Sequence, residues 1–467
     1  MSLDSNFYPR RRFLGQCCAA VGATGLLSSL AQMRLMGAVA GSTSGPNGTS
    51  AAEPDFKGLV CLYLNGGNDT NNLIIPNDSS GYASYARSRG SLALTREDLL
   101  GINPATTDGR AWGMHPAMGS LQELFVGGQV AMLANVGTLL APTTKAQYQA
   151  RSVPLPPQLF SHSDQTVQWQ SSVPDRAFET GWGGRLADLT NVFNENNDIS
   201  MTITLNGQNS FQVGREVVQF AVRPEGALNL WWHDNPGDES AVVRLDAMAD
   251  MMHGNDANLF RAAFGQSTGR ALENSALLAE VLKNAAPSTV TFPDTDLGQQ
   301  LQMIAQLISV REQLGLRRQI FFARLGGWDL HDSQIDAHAE LLAELSDAMK
   351  AFYEATSSLG VQDKVTTFTA SDFGRTLVAN GDGSDHGWGS HHLIMGGAVK
   401  GGDFYGRMPN LTVDGPDDTE QGRWIPTVSV DEYNATLARW FGVADSDLPL
   451  VLPNIGRFAS RDLGFMK

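Results

Sequence analysis

Short, mostly apolar runs alternate along this chain with loops rich in Gly, Asn, Asp and Ser. Residues 56–64 (FKGLVCLYL) and 129–136 (QVAMLANV) are of strand length, and the first is stopped by Gly66-Gly67. Such runs predict strands buried on both faces. Residues 319–325 (QIFFARL) and 364–370 (KVTTFTA) repeat the pattern. Between them, residues 333–357 change period: Ile335, Ala339, Leu342, Leu345, Met349 and Phe352 recur at helical spacing. Residues 297–316 fit a further helix. The β-α-β order predicts a parallel sheet with helices packed on its faces. Residues 199–222 alternate apolar and polar side chains around Asn206-Gly207, which predicts a hairpin and an inserted sheet. No tandem repeat is visible.

The N-terminal region has a different pattern. Arg10, Arg11, Arg12, Phe13 and Leu14 form a twin-arginine motif, an apolar run extends from Cys17 to about Leu30, and Ala38-Val39-Ala40 offers a small-x-small cleavage site. The run is too short and too rich in Gly, Ser and Ala to span a membrane comfortably. The expectation is a signal peptide over 1–40, a flexible leader over 41–54, and one α/β domain over 55–467 with an insertion around 187–296. The chain would then act in the periplasm or outside the cell. The twin-arginine translocase would be its partner during export, and no stable membrane span would remain after cleavage.

Charge narrows the partners. The whole chain carries 33 basic and 49 acidic residues, a formal net charge of −16. Removing 1–40 takes away four Arg and one Asp, leaving 29 − 48 = −19. Such a surface repels nucleic acid, and an anionic substrate would need a locally positive site such as a bound cation. Of the 3 cysteines, Cys17 and Cys18 lie in the signal and Cys61 stands alone. An internal disulfide and a zinc-thiolate site are therefore excluded from the mature chain.

In an open parallel sheet, loops at the carboxyl ends of the strands build the site. Asp69 lies in Asn65–Asn72, after the first predicted strand. Asp329 and His331 lie in Gly326–Asp332, and Asp372 and Arg375 in Ser371–Thr376, each after a further strand. Asp385 and His386 fall in the Gly-rich stretch that ends at His391-His392. Five of the 9 histidines (331, 338, 386, 391 and 392) belong to this last third. Imidazole with carboxylate suits zinc, manganese or iron, whereas carboxylates alone lean to magnesium or calcium. Asp69, Asp329 and Asp372 converge if their strands are neighbours, and a cation would relieve their repulsion. Plainer roles compete: an Asp in a Gly/Asn loop is commonly a turn former, His338 fits a helix face, and Arg375 could bind a substrate anion or pair with Asp372. Phe160–Gln165 (FSHSDQ) predicts a helix start capped by Ser161 or Ser163, with His162 beside it, and is the best place for a nucleophile. Ser172-Val173-Pro174-Asp175-Arg176 fits the S-x-P-x-R pattern at which sulfatases make formylglycine, but so short a match is read as coincidence. No G-x-G-x-x-G follows a strand.

Taken together, LNGGNDTNNLIIP (64–76), FSHSDQ (160–165), GWGGRL (181–186), GGWDLHDSQ (326–334), SDFGRT (371–376), DHGWG (385–389), GGAVKGGDFYG (396–406) and YNATLARWFG (433–442) resemble the bacterial domain-of-unknown-function family 1501. That family is grouped by similarity with the alkaline phosphatase and sulfatase superfamily. The resemblance implies an alkaline phosphatase-like α/β sandwich: a mainly parallel central sheet, helices on both faces, and one or two divalent metal ions at the strand ends. Carried over, Asp69 matches the first-strand metal aspartate, Asp329 and His331 the middle pair, Asp372 the later acid, and His386 a late histidine. Asp385, His391 or His392 would complete a site. Ser161 is nearest to the nucleophile. The middle pair is closer in sequence than is usual in the superfamily's phosphatases, and Phe373, not His, follows Asp372. The function expected is an exported metal-dependent hydrolase of phosphate or sulfate esters, taking an anionic small-molecule or polymer ester. The alternative is a non-catalytic exported binding or assembly protein that keeps the fold.

Overall fold

The structure, a computed structural model, describes residues 55–106, 109–195, 198–226, 239–253, 258–285 and 287–467. The signal (1–40), the leader (41–54) and Trp231-Trp232 lie outside the described residues.

The strands, in chain order, are β1 (Lys57–Leu64), β2 (Ile74–Pro76), β3 (Leu100–Ile102), β4 (Trp112–Met114), β5 (Val130–Gly137), β6 (Thr202–Thr204), β7 (Phe220–Ala221), β8 (Arg318–Leu325), β9 (Val365–Ser371), β10 (Arg375–Ala379), β11 (Ser384–His386), β12 (Ser390–Met395), β13 (Phe404–Gly406) and β14 (Val428–Ser429). The main sheet has 9 strands in the order β13-β5-β12-β9-β1-β8-β6-β7, with β14 beside β5. β1 pairs in parallel with β8 and β9. β12 runs antiparallel to both β9 and β5, so it alone opposes the common direction. β1 is apolar along almost its whole length because it is central, with helices on both faces and strands on both sides.

Residues 318–371 form the expected β-α-β unit, with the helix Gln334–Ser358 between β8 and β9. The two strands are not adjacent: β1 lies between them. The unit therefore wraps the first strand, and the register sets Leu64 level with Leu325 and Ser371. Three loops leave the sheet side by side at that edge. The helix Asp296–Ser309 packs against Gln334–Ser358, which also carries Gly119–Val126. The helices His162–Ser171, Trp182–Thr190 and Val430–Phe441 pack with strands β9, β8 and β1 respectively. On this side the Tyr63 hydroxyl donates to Thr166 Oγ1 at 3.0 Å.

The region 199–222 departs from expectation. β6 and β7 pair in parallel, not as a hairpin, and β6 adds to the edge of the main sheet beside β8. Asn206-Gly207 does turn, with Gly207 at φ 65°. The chain after it is then captured: Gln212 Nε2 donates to Ile203 O and Ile320 O, and Gln170 Oε1 accepts from the amides of Ser210 and Phe211. Alternation reports a two-faced strand but not the direction of its partner. The helices Glu239–His253 and Leu259–Lys283, within the same long segment, pack against each other.

Candidate functional site

The three level strand ends determine what meets. In the β1 loop, the Gly66 amide donates to Asp372 Oδ1 at 3.3 Å, and the Gly66 and Gly67 carbonyls accept from Arg375. A methyl on Gly66 (φ 122°) would lie 2.5 Å from the Asp329 backbone nitrogen. The β1 and β8 loops approach so closely that only glycine fits between them.

On this floor His162, Asp329, His331 and His386 converge. Asp329 Oδ2 lies 3.3 Å from His162 Nε2, and its Oδ1 lies 3.1 Å from His331 Nε2 and 3.2 Å from His386 Nε2. The Nε2 atoms of His331 and His386 are 3.0 Å apart. His162, Asp329 and His386 each present a ligand atom within a 4.8 Å span.

Two of the imidazoles are aimed from behind. His386 Nδ1 is 2.7 Å from the Phe160 carbonyl, which can only accept, so Nδ1 carries the proton and Nε2 the lone pair. His162 Nδ1 is 2.7 Å from the buried carboxylate of Asp372. His162 Nε2 is buried and has no hydrogen-bond partner, since its approach to Asp329 lacks hydrogen-bond geometry. An orphaned imidazole nitrogen beside a carboxylate and a second imidazole nitrogen is a donor set that fits a divalent cation. Ligand atoms ~2.0–2.1 Å from a tetrahedral ion lie about 3.3 Å apart, close to the separations found here.

The charges follow from these contacts. The proton on His162 is held above the ordinary imidazole range, first by its hydrogen bond to Asp372. Burial pulls His386 the other way, toward the neutral form. Burial alone would raise the Asp329 carboxyl, but Arg375 reverses this and holds it below the usual carboxylate value.

Other predicted site residues take different places. Asp69 is buried and faces Arg89 and the Gln334 amide, not the imidazoles. Gln334 continues to Ser384, whose hydroxyl donates to its Oε1 at 2.7 Å. Asp372 orients His162 and receives the Gly66 amide. Arg375 is fully buried, donating to Gly66 O, Gly67 O and Ser384 O and to Asp329. It joins the loops, and its carboxylate partner is Asp329, not Asp372. Asp385 Oδ1 lies 3.6 Å from His331 Nδ1 and accepts from Asn380. Ser161 occupies the N-cap of His162–Ser171, but its hydroxyl donates to Asp164 Oδ2 at 2.6 Å, so no imidazole activates it. Ser172 is buried and its hydroxyl accepts from Asn434 at 2.7 Å. His338 is buried and holds Asn68 at 3.0 Å. His391 Nδ1 accepts from the Asn135 amide, and His392 stacks on Tyr433 with Trp169 tilted against it.

Three contributors had no sequence signal. Arg89 ends the helix Ser79–Arg89 and reaches Asp69 only through the tertiary fold. Gln334 reads as an ordinary helix start. The Phe160 carbonyl is a backbone group, invisible to any motif. His162 is visible in the sequence beside Ser161, though as catalytic company and not as an imidazole facing Asp329.

The molecule is thus an α/β protein whose strand-end loops gather imidazoles around one aspartate. The chain belongs to the family described as protein of unknown function DUF1501, which matches residues 56–448. No curated protein matches it. Among solved structures it is similar to Ps i-CgsB in complex with k-i-k-neocarrahexaose, at 10% identity and TM-score 0.35, covering 88% of this chain and 78% of that one. It is similar to the PsFucS1 sulfatase from Pseudoalteromonas sp. at 8% identity and TM-score 0.32, covering 90% and 72%. A variant of the alkaline phosphatase PafA aligns at 11% identity and TM-score 0.23, covering 70% and 64%.

Proposed function

We propose that the protein is an exported metal-dependent hydrolase of phosphate or sulfate esters, with the cation held by His162, Asp329 and His386. The observation that carries this is the buried, unpartnered Nε2 of His162 beside Asp329, with the Nε2 of His386 within the same 4.8 Å span. When bound, a divalent ion supplies a Lewis acid for the ester oxygen and lowers the pKa of the attacking hydroxyl or water. The chain's own residues prepare the site. Asp372 and the Phe160 carbonyl accept hydrogen bonds from Nδ1–H of His162 and His386, which keeps the Nδ1 protons in place and directs the Nε2 lone pairs inward. Arg375 keeps Asp329 ionised and in place. His331 is the most exposed of the three imidazoles, at 43% of its side-chain surface. In this reading it hands a proton to the leaving oxygen. The overall negative charge makes a local cation the natural anchor for an anionic ester. Export rests on the twin-arginine segment. Among the described residues no helix is long and apolar enough to cross a membrane.

A second reading, a non-catalytic exported binding or assembly protein, is favoured by one observation: the Ser161 hydroxyl is engaged by Asp164 and has no base. Elemental analysis of the purified protein, with 4-nitrophenyl phosphate and 4-nitrophenyl sulfate as probes, separates the two. Stoichiometric metal and turnover, both lost in Asp329→Ala, support the hydrolase. Stoichiometric metal with no turnover across an ester panel supports the binding protein. Absence of metal under all loading conditions ends the metal assignment.

A further inference from the structure

Beside the imidazole cluster lies a cavity of about 580 Å³, bounded in part by Tyr148, Arg151, Leu155, Leu159 and Phe160. It is tied to the site through two residues. Phe160 lines the cavity, and its carbonyl is the group that orients His386. Trp388, two residues after His386, is buried behind the cavity and packs on Tyr148 with ring centroids 5.9 Å apart. The cavity and the imidazole cluster thus share Phe160, which faces both. The volume is in the range of small-molecule sites, ~300–1,000 Å³. Its lining is mixed: two aromatic rings and two leucines supply apolar surface, and Gln149, Gln158 and Arg151 supply polar surface. Arg151 is exposed at the rim and has no carboxylate partner among the described residues. The segment is held in uncommon backbone: Arg151, Gln158 and Phe160 have φ of 49°, 52° and 73°. At Arg151 this is the left-handed cap that ends the helix Lys145–Ala150.

We propose that this cavity seats the alcohol portion of the substrate, and that this portion is an aromatic ring system bearing an anionic substituent directed at Arg151. The inference rests on the ester-hydrolase reading for its role, but the cavity's occupant can be tested without turnover. Aromatic walls favour a flat ring by stacking and desolvation, and an unpaired guanidinium at the rim favours a carboxylate, phosphate or sulfate on that ring.

The test has a binding arm and a turnover arm. Binding of 6-hydroxy-2-naphthoate and of 2-naphthol to the full protein is followed by ligand fluorescence. Both are expected to saturate, the naphthoate more tightly. Leu155→Trp, which fills the cavity from a half-exposed position, should weaken both about tenfold or more. Arg151→Gln should bring the naphthoate down to the affinity of 2-naphthol and leave the latter unchanged. Val153→Trp repeats the filling from another wall if the first variant misfolds. In the turnover arm, kcat/KM for 2-naphthyl phosphate or sulfate falls about tenfold in Leu155→Trp, while that for the ethyl ester is unchanged. Wild-type protein that binds neither naphthol ligand, or filling variants that bind as wild type, overturn the proposal. Binding as expected with no ester turned over sinks the hydrolase reading alone and leaves the cavity's ligand class standing.

Discussion

The sharpest test of the geometry is Asp69. By analogy with a first-strand metal aspartate, Asp69→Asn should empty the metal site and leave the fold intact. The structure implies the reverse. Arg89 has no exposed side-chain surface, and Asp69 is the carboxylate it meets. The rest of its guanidinium is held by Asn72 Oδ1 and the carbonyls of Thr376 and Leu377. Removing one partner of a buried ion pair leaves the other charge desolvated, at a cost of about 3–5 kcal/mol. The entropy of unfolding, ~2.1 cal/mol/K per residue, gives about 1 kcal/mol/K for a chain of 467 residues. The midpoint should therefore fall by about 3–5 °C. Metal content at 25 °C should stay near wild type, because His162, Asp329 and His386 are untouched. Removing both charges, in Asp69→Leu with Arg89→Met, should recover only part of the lost stability: the unpaired charge is gone, but Asn72 Oδ1 and the carbonyls of Thr376 and Leu377 lose their donor. Calorimetry and elemental analysis on the two single variants and the double one decide the matter. An Asp69→Asn protein that melts like wild type but has lost its metal would refute the reasoning.

Two further predictions concern loop contact and pH. Gly66→Ala would place a methyl 2.5 Å from the Asp329 nitrogen, against backbone that cannot yield. It should lose about 3 kcal/mol or more and the metal with it, whereas Gly326→Ala, with open space around it, should leave denaturation and metal content unchanged. Asp431 is buried at the start of the helix Val430–Phe441, and burial pushes its carboxyl up to about 8. The native state therefore holds a proton that the unfolded chain releases near the ordinary value of 3.8. Stability is highest below that value, falls as pH rises toward 8, and is level above it. At about 1.36 kcal/mol per unit the full span is on the order of 5 kcal/mol. Asp431→Asn should remove the decline, so denaturant midpoints at pH 8 and pH 4.5 compare it with wild type; a pH-independent difference would discredit the assignment.

Much of the frame was legible in the chain itself. The apolar runs at 56–64, 129–136, 319–325 and 364–370 became β1, β5, β8 and β9, because a central strand needs an apolar side chain at nearly every position, which leaves a plain trace. The helical period of 333–357 became Gln334–Ser358 for the same reason on one face. Asp329 and His386 were visible as chemistry-bearing residues after strands, and His162 as a residue beside a helix start. What local pattern could not supply was partnership. Insertion of β1 between β8 and β9 is a long-range choice of neighbours, and it brings the β1 loop beside both later loops. That choice assigns Asp69 to Arg89, Asp372 to the back of His162, and Arg375 to the loop carbonyls. Each aspartate looks alike in sequence because its role depends on which charge lies opposite in space. The parallel pairing of β6 with β7 escaped for the same reason: alternation encodes which face is buried, whereas strand direction is decided by the edge of β8 and the amide of Gln212.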